Sequence, residues 1–406
     1  MNIAILHYSV PPIVGGVESV LAHHARLMSA DGHSVRLIAG RGAALDELIP
    51  MVVMPLADSR NERVLQVKEG LDCGEVPSDF TELRDTLVDK LQSALTGVDV
   101  LIVHNVCSLN KNLMLTAALH QLHTAQALPR LILWHHDLAW TTPRYVPELH
   151  AGYPWDLLRT DWGRTTHVAV SELRRDELVE LMELPPGSIH IIPNGVDIER
   201  FHKLEASTRS LLEQTNLLDA APILLLPVRV TPRKNIELAL YTLAELKNAY
   251  PGAALVVTGP LGPHNANNIK YLEKLLGLRE QLNLQGSVHF LAELLDEFLP
   301  DRVIADFYRI ADALLFPSRE EGFGIPLIEA AFSHLPVFCT DIPPLRKLGL
   351  DDATYFSPDE KPATIAGMLA AYFNTSLPAR LAMRVRLSYR WEAIYQRQIA
   401  PLLKEG

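Results

Sequence analysis

The sequence predicts an α/β protein of two Rossmann-like, doubly wound domains facing a cleft, and three observations carry that reading. Short apolar runs alternate with longer helical patterns, as parallel strands and their crossover helices require. That rhythm runs through the first half of the chain and restarts after residue 200. The length of 406 residues suits two or three domains at about 150 residues each.

In the first half, the expected strands are Ile3–Tyr8, Ser34–Ala39, Val98–His104, Leu131–Trp134, His167–Val170 and Ile189–Ile192. Helical patterns lie between them at Val17–Ala30, Asp79–Leu95, Leu109–His123 and Glu172–Met182. In the second half, Ile223–Val228, Ala254–Thr258, Val288–Leu291, Ala313–Phe316 and Val337–Cys339 read as buried strands. Asn235–Ala249, Ile269–Leu282, Ala305–Ile310 and Leu327–Phe332 read as their helices. The seam is placed in the polar stretch that starts at Phe201, so residues 1–200 form one domain and 201–388 the other. The amphipathic segment Trp391–Leu403 can return to the first domain, which assigns residues 389–406 to it. In such sheets ligands sit beyond the carboxyl ends of the strands, so residues just after strands carry the most information.

Apolar residues make up 48% of the chain and charged residues 21%, which excludes a mainly disordered or collagen-like protein. There are 37 Lys and Arg against 48 Asp and Glu, a formal charge of −11 that argues against nucleic acid as a partner. The same charge disfavours broad adhesion to an anionic membrane. No basic, apolar leader opens the sequence and no run of eighteen apolar residues occurs, so a soluble protein is expected. Cys73, Cys107 and Cys339 are widely spaced and form no C-x-x-C pair, which fits a reduced, cytoplasmic setting without a zinc site.

The first post-strand loop holds Gly15-Gly16-Val17-Glu18 directly before a helix. Glycines let backbone approach a ligand, and a helix start offers unpaired N–H groups to an anion, although a plain tight turn has the same look. The spacing G-x-G-x-x-G is absent, which weighs against a dinucleotide enzyme. His104 closes one strand and His135-His136-Asp137 follows the next. A neutral imidazole there faces the expected cleft and can bond a substrate hydroxyl or developing charge. Asp137 either orients the ring or caps a helix.

Further on, Arg229 follows a strand and Lys234 lies five residues later at a helix start, with Arg233 beside it. Two fixed cations at such a junction suit a diphosphate leaving group, which gains charge as the bond to it breaks. Both are expected to be exposed in the cleft. The strongest local signal is Ser318-Arg319-Glu320-Glu321-Gly322-Phe323-Gly324-Ile325-Pro326-Leu327-Ile328-Glu329. Its glycines expose backbone N–H groups near a helix start, where Pro326 suits the first position. Carboxylates accept hydrogen bonds from vicinal hydroxyls, so one of Glu321 and Glu329 can hold a hexose and the other a ribose. Helix-dipole complementation is the competing account of Glu329, but it gives no reason for Glu321.

In order, G-G-x-E near residue 15, His136-Asp137, Pro193-Asn194-Gly195-Val196-Asp197, Arg229 with Lys234, Glu321-x7-Glu329 and Trp391 before a last helix resemble the retaining glycosyltransferases of family 4. The resemblance spans nearly the whole chain and implies the GT-B fold. It implies a nucleotide-diphosphate sugar as donor, of the GDP-mannose or UDP-glucose type, and no cofactor. By it, Arg229 and Lys234 hold the pyrophosphate, helped by backbone N–H groups at Gly16 and near Gly324. The donor site then comprises Gly15, Gly16, Arg229, Lys234, Glu321, Gly322, Phe323, Gly324, Ile325 and Glu329. Glu329 bonds the ribose, Glu321 the transferred sugar, and His136 meets that sugar across the cleft. Same-face attack retains configuration, with the leaving phosphate assisting deprotonation of the acceptor and no metal required. The sequence agrees in lacking a D-x-D triplet.

The strand before Arg229 ends Pro227-Val228, without the family's usual glycine. The segment after Asp137 is long and aromatic, through Trp140, Arg144, Tyr145, His150, Tyr153 and Trp155, and either selects the acceptor or packs as a lid. His104, Asp137, Arg144 and Tyr145 are the acceptor-side candidates. Arg144 suits a carboxylate or phosphate on a soluble acceptor, unless it pairs with Glu148 four residues on. The competing functions are a GT-B sugar-nucleotide epimerase and a non-catalytic sugar- or nucleotide-binding protein.

Overall fold

Apolar runs buried on both faces pair as parallel strands, and every parallel pair needs a crossover that returns the chain to the same edge. The structure, a computed structural model, describes residues 1–260, 266–295 and 298–405, and divides into two compact units. The first holds Met1–Gly195 with Trp391–Gly406, the second Val196–Arg390.

In the first unit, β1 (Asn2–Leu6), β2 (Ser34–Ala39), β3 (Met51–Val53), β4 (Val100–His104), β5 (Arg130–His135), β6 (Thr165–Ala169) and β7 (Ile189–Ile191) form one sheet in the order β3-β2-β1-β4-β5-β6-β7. Every pairing is parallel. The helices are α1 (Gly16–Ala30), α2 (Glu62–Asp72), α3 (Asp79–Ala94), α4 (Leu113–Thr124) and α5 (Glu172–Met182). α4 starts at Leu113 rather than Leu109 because Asn112 caps it, its Oδ1 accepting the Leu115 N–H at 3.1 Å.

The second unit contains α6 (Ile198–His202), α7 (Ala206–Thr215), β8 (Ile223–Leu226), α8 (Ile236–Leu246), β9 (Ala254–Val257), α9 (Ala266–Gln281), β10 (Val288–Phe290), α10 (Asp301–Ile310), β11 (Ala313–Phe316), α11 (Ile325–Phe332), β12 (Val337–Thr340), α12 (Pro343–Gly349), β13 (Thr354–Phe356), α13 (Pro362–Thr375) and α14 (Leu377–Ser388). Its parallel sheet runs β10-β9-β8-β11-β12-β13. The edge strands β3 and β13 escape the reading of the sequence. Each is three residues long and partly exposed, so neither needs a continuous apolar run.

The chain leaves the first unit at Gly195, not at residue 200. Val196 donates its N–H to the Tyr389 carbonyl at 2.7 Å, which ties α6 to the second unit. Beyond Arg390, α15 (Trp391–Ile394), a π-helical turn and α16 (Ala400–Lys404) pack on the first unit. Trp391 stacks on His23 at 5.1 Å, Tyr395 donates to Asp31 at 2.8 Å, and the Arg130 guanidinium donates to the Leu402 and Leu403 carbonyls.

The first unit also encloses His7, His24, His104, His135, His136 and His167, all buried. Burial pulls His24 and His136 from 6.5 down to about 3, with neighbouring histidines acting in the same direction. It also holds His7, His104, His135 and His167 below the ordinary value. These rings are neutral when folded and charge when unfolded, so the unfolded chain binds more protons and acid favours it. Stability is complete above pH 6.5 and is lost as pH falls toward 3. At pH 5, His24 and His136 alone should cost about 2 kcal/mol each. Tryptophan fluorescence should show the first unit unfolding between about pH 6 and 4. A melting temperature unchanged between pH 7 and 4.5 would contradict this.

Candidate active site

In each sheet the strand order reverses once, between β1 and β4 and between β8 and β11. Open parallel sheets bind ligands beyond the carboxyl ends of strands at such a reversal. The sequence-marked residues fall there: Gly15 and Gly16 after β1, His104 at the end of β4, Arg229 after β8 and Glu321 after β11.

In the second unit, Lys234 ends a 3-10 turn (Pro232–Lys234) just before α8. Contrary to the expectation of an exposed cation, its side chain is 8% accessible and forms an ion pair with Glu321, itself 8% accessible. The reason is local. The turn is tied to the loop after β11 by the Arg319 N–H to the Arg233 carbonyl (2.9 Å) and by Arg233 Nη1 to the Glu320 carbonyl (3.2 Å). Lys234 also lies 5.5 Å from the centre of the Phe316 ring. Burial lowers the pKa of its ammonium, Glu321 works against that shift, and the positive charges of Arg233 and Arg229 add to it. Three cations around one carboxylate leave the locality with net positive charge, which suits an anion.

Arg229 is exposed and, among the described residues, no carboxylate pairs with it. The glycine missing before it has a counterpart across the loop at Gly259. A Cβ there would lie 1.8 Å from the Val228 carbonyl oxygen. Arg229 and Glu329 line one cavity of ≈ 280 Å³ with Thr258, Gly259 and Phe298. A larger hollow, ≈ 1000 Å³, lies between α8 and α9, where Glu237 already pairs with Lys274 and Arg319 with Asp359. Of the donor-side candidates, Arg229, Ile325 and Glu329 line the smaller one, while Lys234 and Glu321 do not.

Gly324 adopts φ 105° as the N-cap of α11, and a Cβ would press to 2.5 Å on Leu345. Pro326 is the second helical residue, one later than expected, and Phe323 and Ile325 are exposed beside it. Gly322 has open space around it. Glu329 lies in the second turn of α11, whose first turn holds no acidic residue, so dipole complementation does not explain it. Instead Tyr308, buried on α10, donates its hydroxyl to Glu329 Oε2 at 2.6 Å. Burial and that bond raise the phenol pKa, which keeps it a donor. The sequence reading misses Tyr308, since nothing in its spacing links it to Glu329.

In the first unit, Gly15 and Gly16 part company. Glu18 folds back over the start of α1, its Oε1 accepting from Ser9 Oγ at 2.7 Å, and a Cβ on Gly15 would meet its carboxylate at 2.0 Å. A Cβ on Gly16 would meet nothing within 4 Å, and this exposed glycine is the open face of the turn. His104, expected to touch the acceptor, is fully buried and reaches outward only through its Nδ1, 3.0 Å from His136 Nε2. A neutral ring offers one donor and one acceptor, so the contact couples the tautomers of His104 and His136, one nitrogen donating and the other accepting. Asn105, at φ 59°, accepts the backbone N–H groups of His136 (2.7 Å) and Asp137 (3.2 Å) on its Oδ1. The sequence carries only a weak sign of it, an asparagine directly after a strand. Asp137 is half-buried, 3.6 Å from Arg174.

Residues 14–200 match the family described as Glycosyltransferase Family 4, and residues 208–386 match Glycosyl transferases group 1. The chain belongs to glycosyltransferase family 4. Among relatives of this family, it is 26% identical over 378 residues to mannosylglucosylglycerate synthase of Petrotoga mobilis, covering 86% of this chain and 84% of that one. It is 26% identical over 293 residues to D-inositol 3-phosphate glycosyltransferase of Kineococcus radiotolerans, 68% of this chain and 63% of the relative. To mannosylfructose-phosphate synthase of Agrobacterium fabrum it is 29% identical over 247 residues, 59% and 52%. The chain thus spans less than two thirds of the length of the last two. Among solved structures, it aligns with WaaG, a glycosyltransferase involved in lipopolysaccharide biosynthesis, over 100% of both chains at 18% identity and a TM-score of 0.36. Among the described residues, no helix is long and apolar enough to cross a membrane.

A family 4 glycosyltransferase that loses one half of the Lys234–Glu321 pair is left with an uncompensated buried charge. Lys234→Ala should therefore destabilise the second unit by about 3–5 kcal/mol. Replacing both partners, in Lys234→Met/Glu321→Leu, should restore most of that. Denaturant melts of the single and double variants check it, and a single variant as stable as the parent refutes it.

Proposed function

We propose that this chain transfers a hexose, glucose or mannose, from a nucleotide-diphosphate sugar to a hydroxyl of a soluble acceptor, with retention and without a catalytic metal. The observation that carries this reading is the shared neighbourhood of Arg229, Arg233, Lys234, Glu321 and Glu329 at the β8/β11 reversal. Diphosphate oxygens would lie on Arg229 and the net positive locality at Lys234, where leaving-group charge develops. Glu329, oriented by Tyr308, would accept the ribose hydroxyls, and Glu321 the hydroxyls of the transferred sugar. On the first unit, His136 would bond the sugar as a neutral ring, and the Gly16 N–H would add a dipole. With the diphosphate met by cations, no metal is assigned a part, and the departing phosphate would take the acceptor proton. Family membership and the mannosyl- and glycosyl-transferring names of the relatives support a hexose donor. A cytoplasmic setting fits Cys73, Cys107 and Cys339, none of which forms a disulfide.

Incubating UDP-glucose and GDP-mannose with hexoside acceptors should release nucleoside diphosphate in step with product, in EDTA as in Mg²⁺. Proton NMR should show the donor's anomeric configuration in the product. Inversion, or activity abolished by EDTA and restored by Mg²⁺, would defeat the mechanism. Nucleotide release and return without any acceptor would point to an epimerase. Tyr308→Phe, which strips Glu329 of its donor, should weaken calorimetric binding of the preferred nucleoside diphosphate about tenfold. Its 2′,3′-dideoxy analogue should lose much less, and equal losses would remove the ribose role from Glu329.

A further inference from the structure

Three neighbouring strands of the first unit, in the sheet order β1-β4-β5, send out loops at their carboxyl ends that bear Tyr8, Lys111 and Arg144. Lys111 is half-buried, with its ammonium 6.0 Å from the centre of the Tyr8 ring. The Arg144 guanidinium lies 4.7 Å above Tyr145. Among the described residues, no carboxylate forms an ion pair with either cation. The obvious partner of Arg144 is already engaged. Glu148 accepts from Lys68 Nζ at 2.9 Å and from Asn110 Nδ2 at 2.7 Å.

A half-buried ammonium without a partner has given up hydration for no ion pair, an arrangement expected where a ligand supplies the counter-charge. Burial lowers the Lys111 pKa, and the charges acting on it are those of Asp137, Glu18, Arg144 and Arg60. Both carboxylates in that group have other partners, Glu18 taking the Ser9 hydroxyl and Asp137 lying 3.6 Å from Arg174. Lys111, Arg144 and Arg60 therefore give an otherwise acidic protein a local cationic site. Tyr8 is buried beneath Lys111 and Tyr145 is half-buried beneath Arg144, so the two rings support the cations from below.

We propose that Lys111 and Arg144 form an anion subsite that holds a carboxylate or a phosphate monoester on the acceptor. This rests on the reading of the chain as a glycosyltransferase with a hydroxyl acceptor. The −11 charge of the whole chain repels anions in general, so such a subsite selects a small anionic acceptor by contact rather than by long-range attraction.

The test compares matched acceptors with the best donor: glucosylglycerate, its methyl ester, glucose 6-phosphate and methyl glucoside. The acceptor KM should be at least about tenfold lower for an anionic member than for its neutral counterpart. Lys111→Met and Arg144→Met should each raise the anionic acceptor KM about 10- to 100-fold and abolish the preference. Lys111→Arg should keep it, and calorimetric affinity for the nucleoside diphosphate should stay that of the parent in all variants. Preference for glucosylglycerate over glucose 6-phosphate, or the reverse, identifies the anion. Equal KM for charged and neutral acceptors, or Met variants with the parent's acceptor KM, would overturn the subsite alone. A protein that binds neither UDP nor GDP and releases no nucleotide with any acceptor would overturn the donor reading and this one together.

Discussion

Parallel pairing imposes one constraint from which both units follow. A parallel strand cannot be reached by a hairpin, so every connection crosses over and each strand's carboxyl end opens onto the same edge. In the first unit that edge gathers His7, Tyr8, His104, Asn105, His136 and Asp137 from three neighbouring strands. In the second it gathers Arg229, Gly259 and the Ser318–Glu321 segment. Where the strand order reverses, the two adjacent crossovers diverge and leave room for a ligand.

Within that frame, the charges divide into those satisfied internally and those left open. Lys234 and Glu321 are both buried and meet each other, while Arg386, the other buried cation of the second unit, is held by Asp312 and backbone carbonyls. Breaking such a pair costs more than the pair contributes, because the survivor keeps its desolvation penalty. Arg229 in the second unit and Lys111 and Arg144 in the first have no carboxylate in that role among the described residues. Those open cations are the ones to which the proposed function assigns the anions of donor and acceptor.

The histidines of the first unit follow a different logic. Six neutral rings among β-strands and α1 supply shape and a few directed hydrogen bonds without charge. His136 has the most residual exposure of the six and is held from inside the core by His104. That arrangement makes the unit sensitive to acid at the carboxyl ends of its central strands.

Local pattern was enough to determine the α/β class, the restart after residue 200, most strands, and the post-strand positions of Gly15, His136, Arg229 and Glu321. Those features depend on hydrophobic periodicity and on residues near one another in sequence, which a single chain displays directly. The resemblance to family 4 added roles but no geometry. Tertiary structure alone decided that His104 is interior, that Lys234 and Glu321 share a buried ion pair, and that Tyr308 and Asn105 orient Glu329 and the His136 backbone. Each of these joins groups 21 to 87 positions apart. Burial and pairing at that separation depend on which loops the sheet brings to one edge, and no local pattern encodes it.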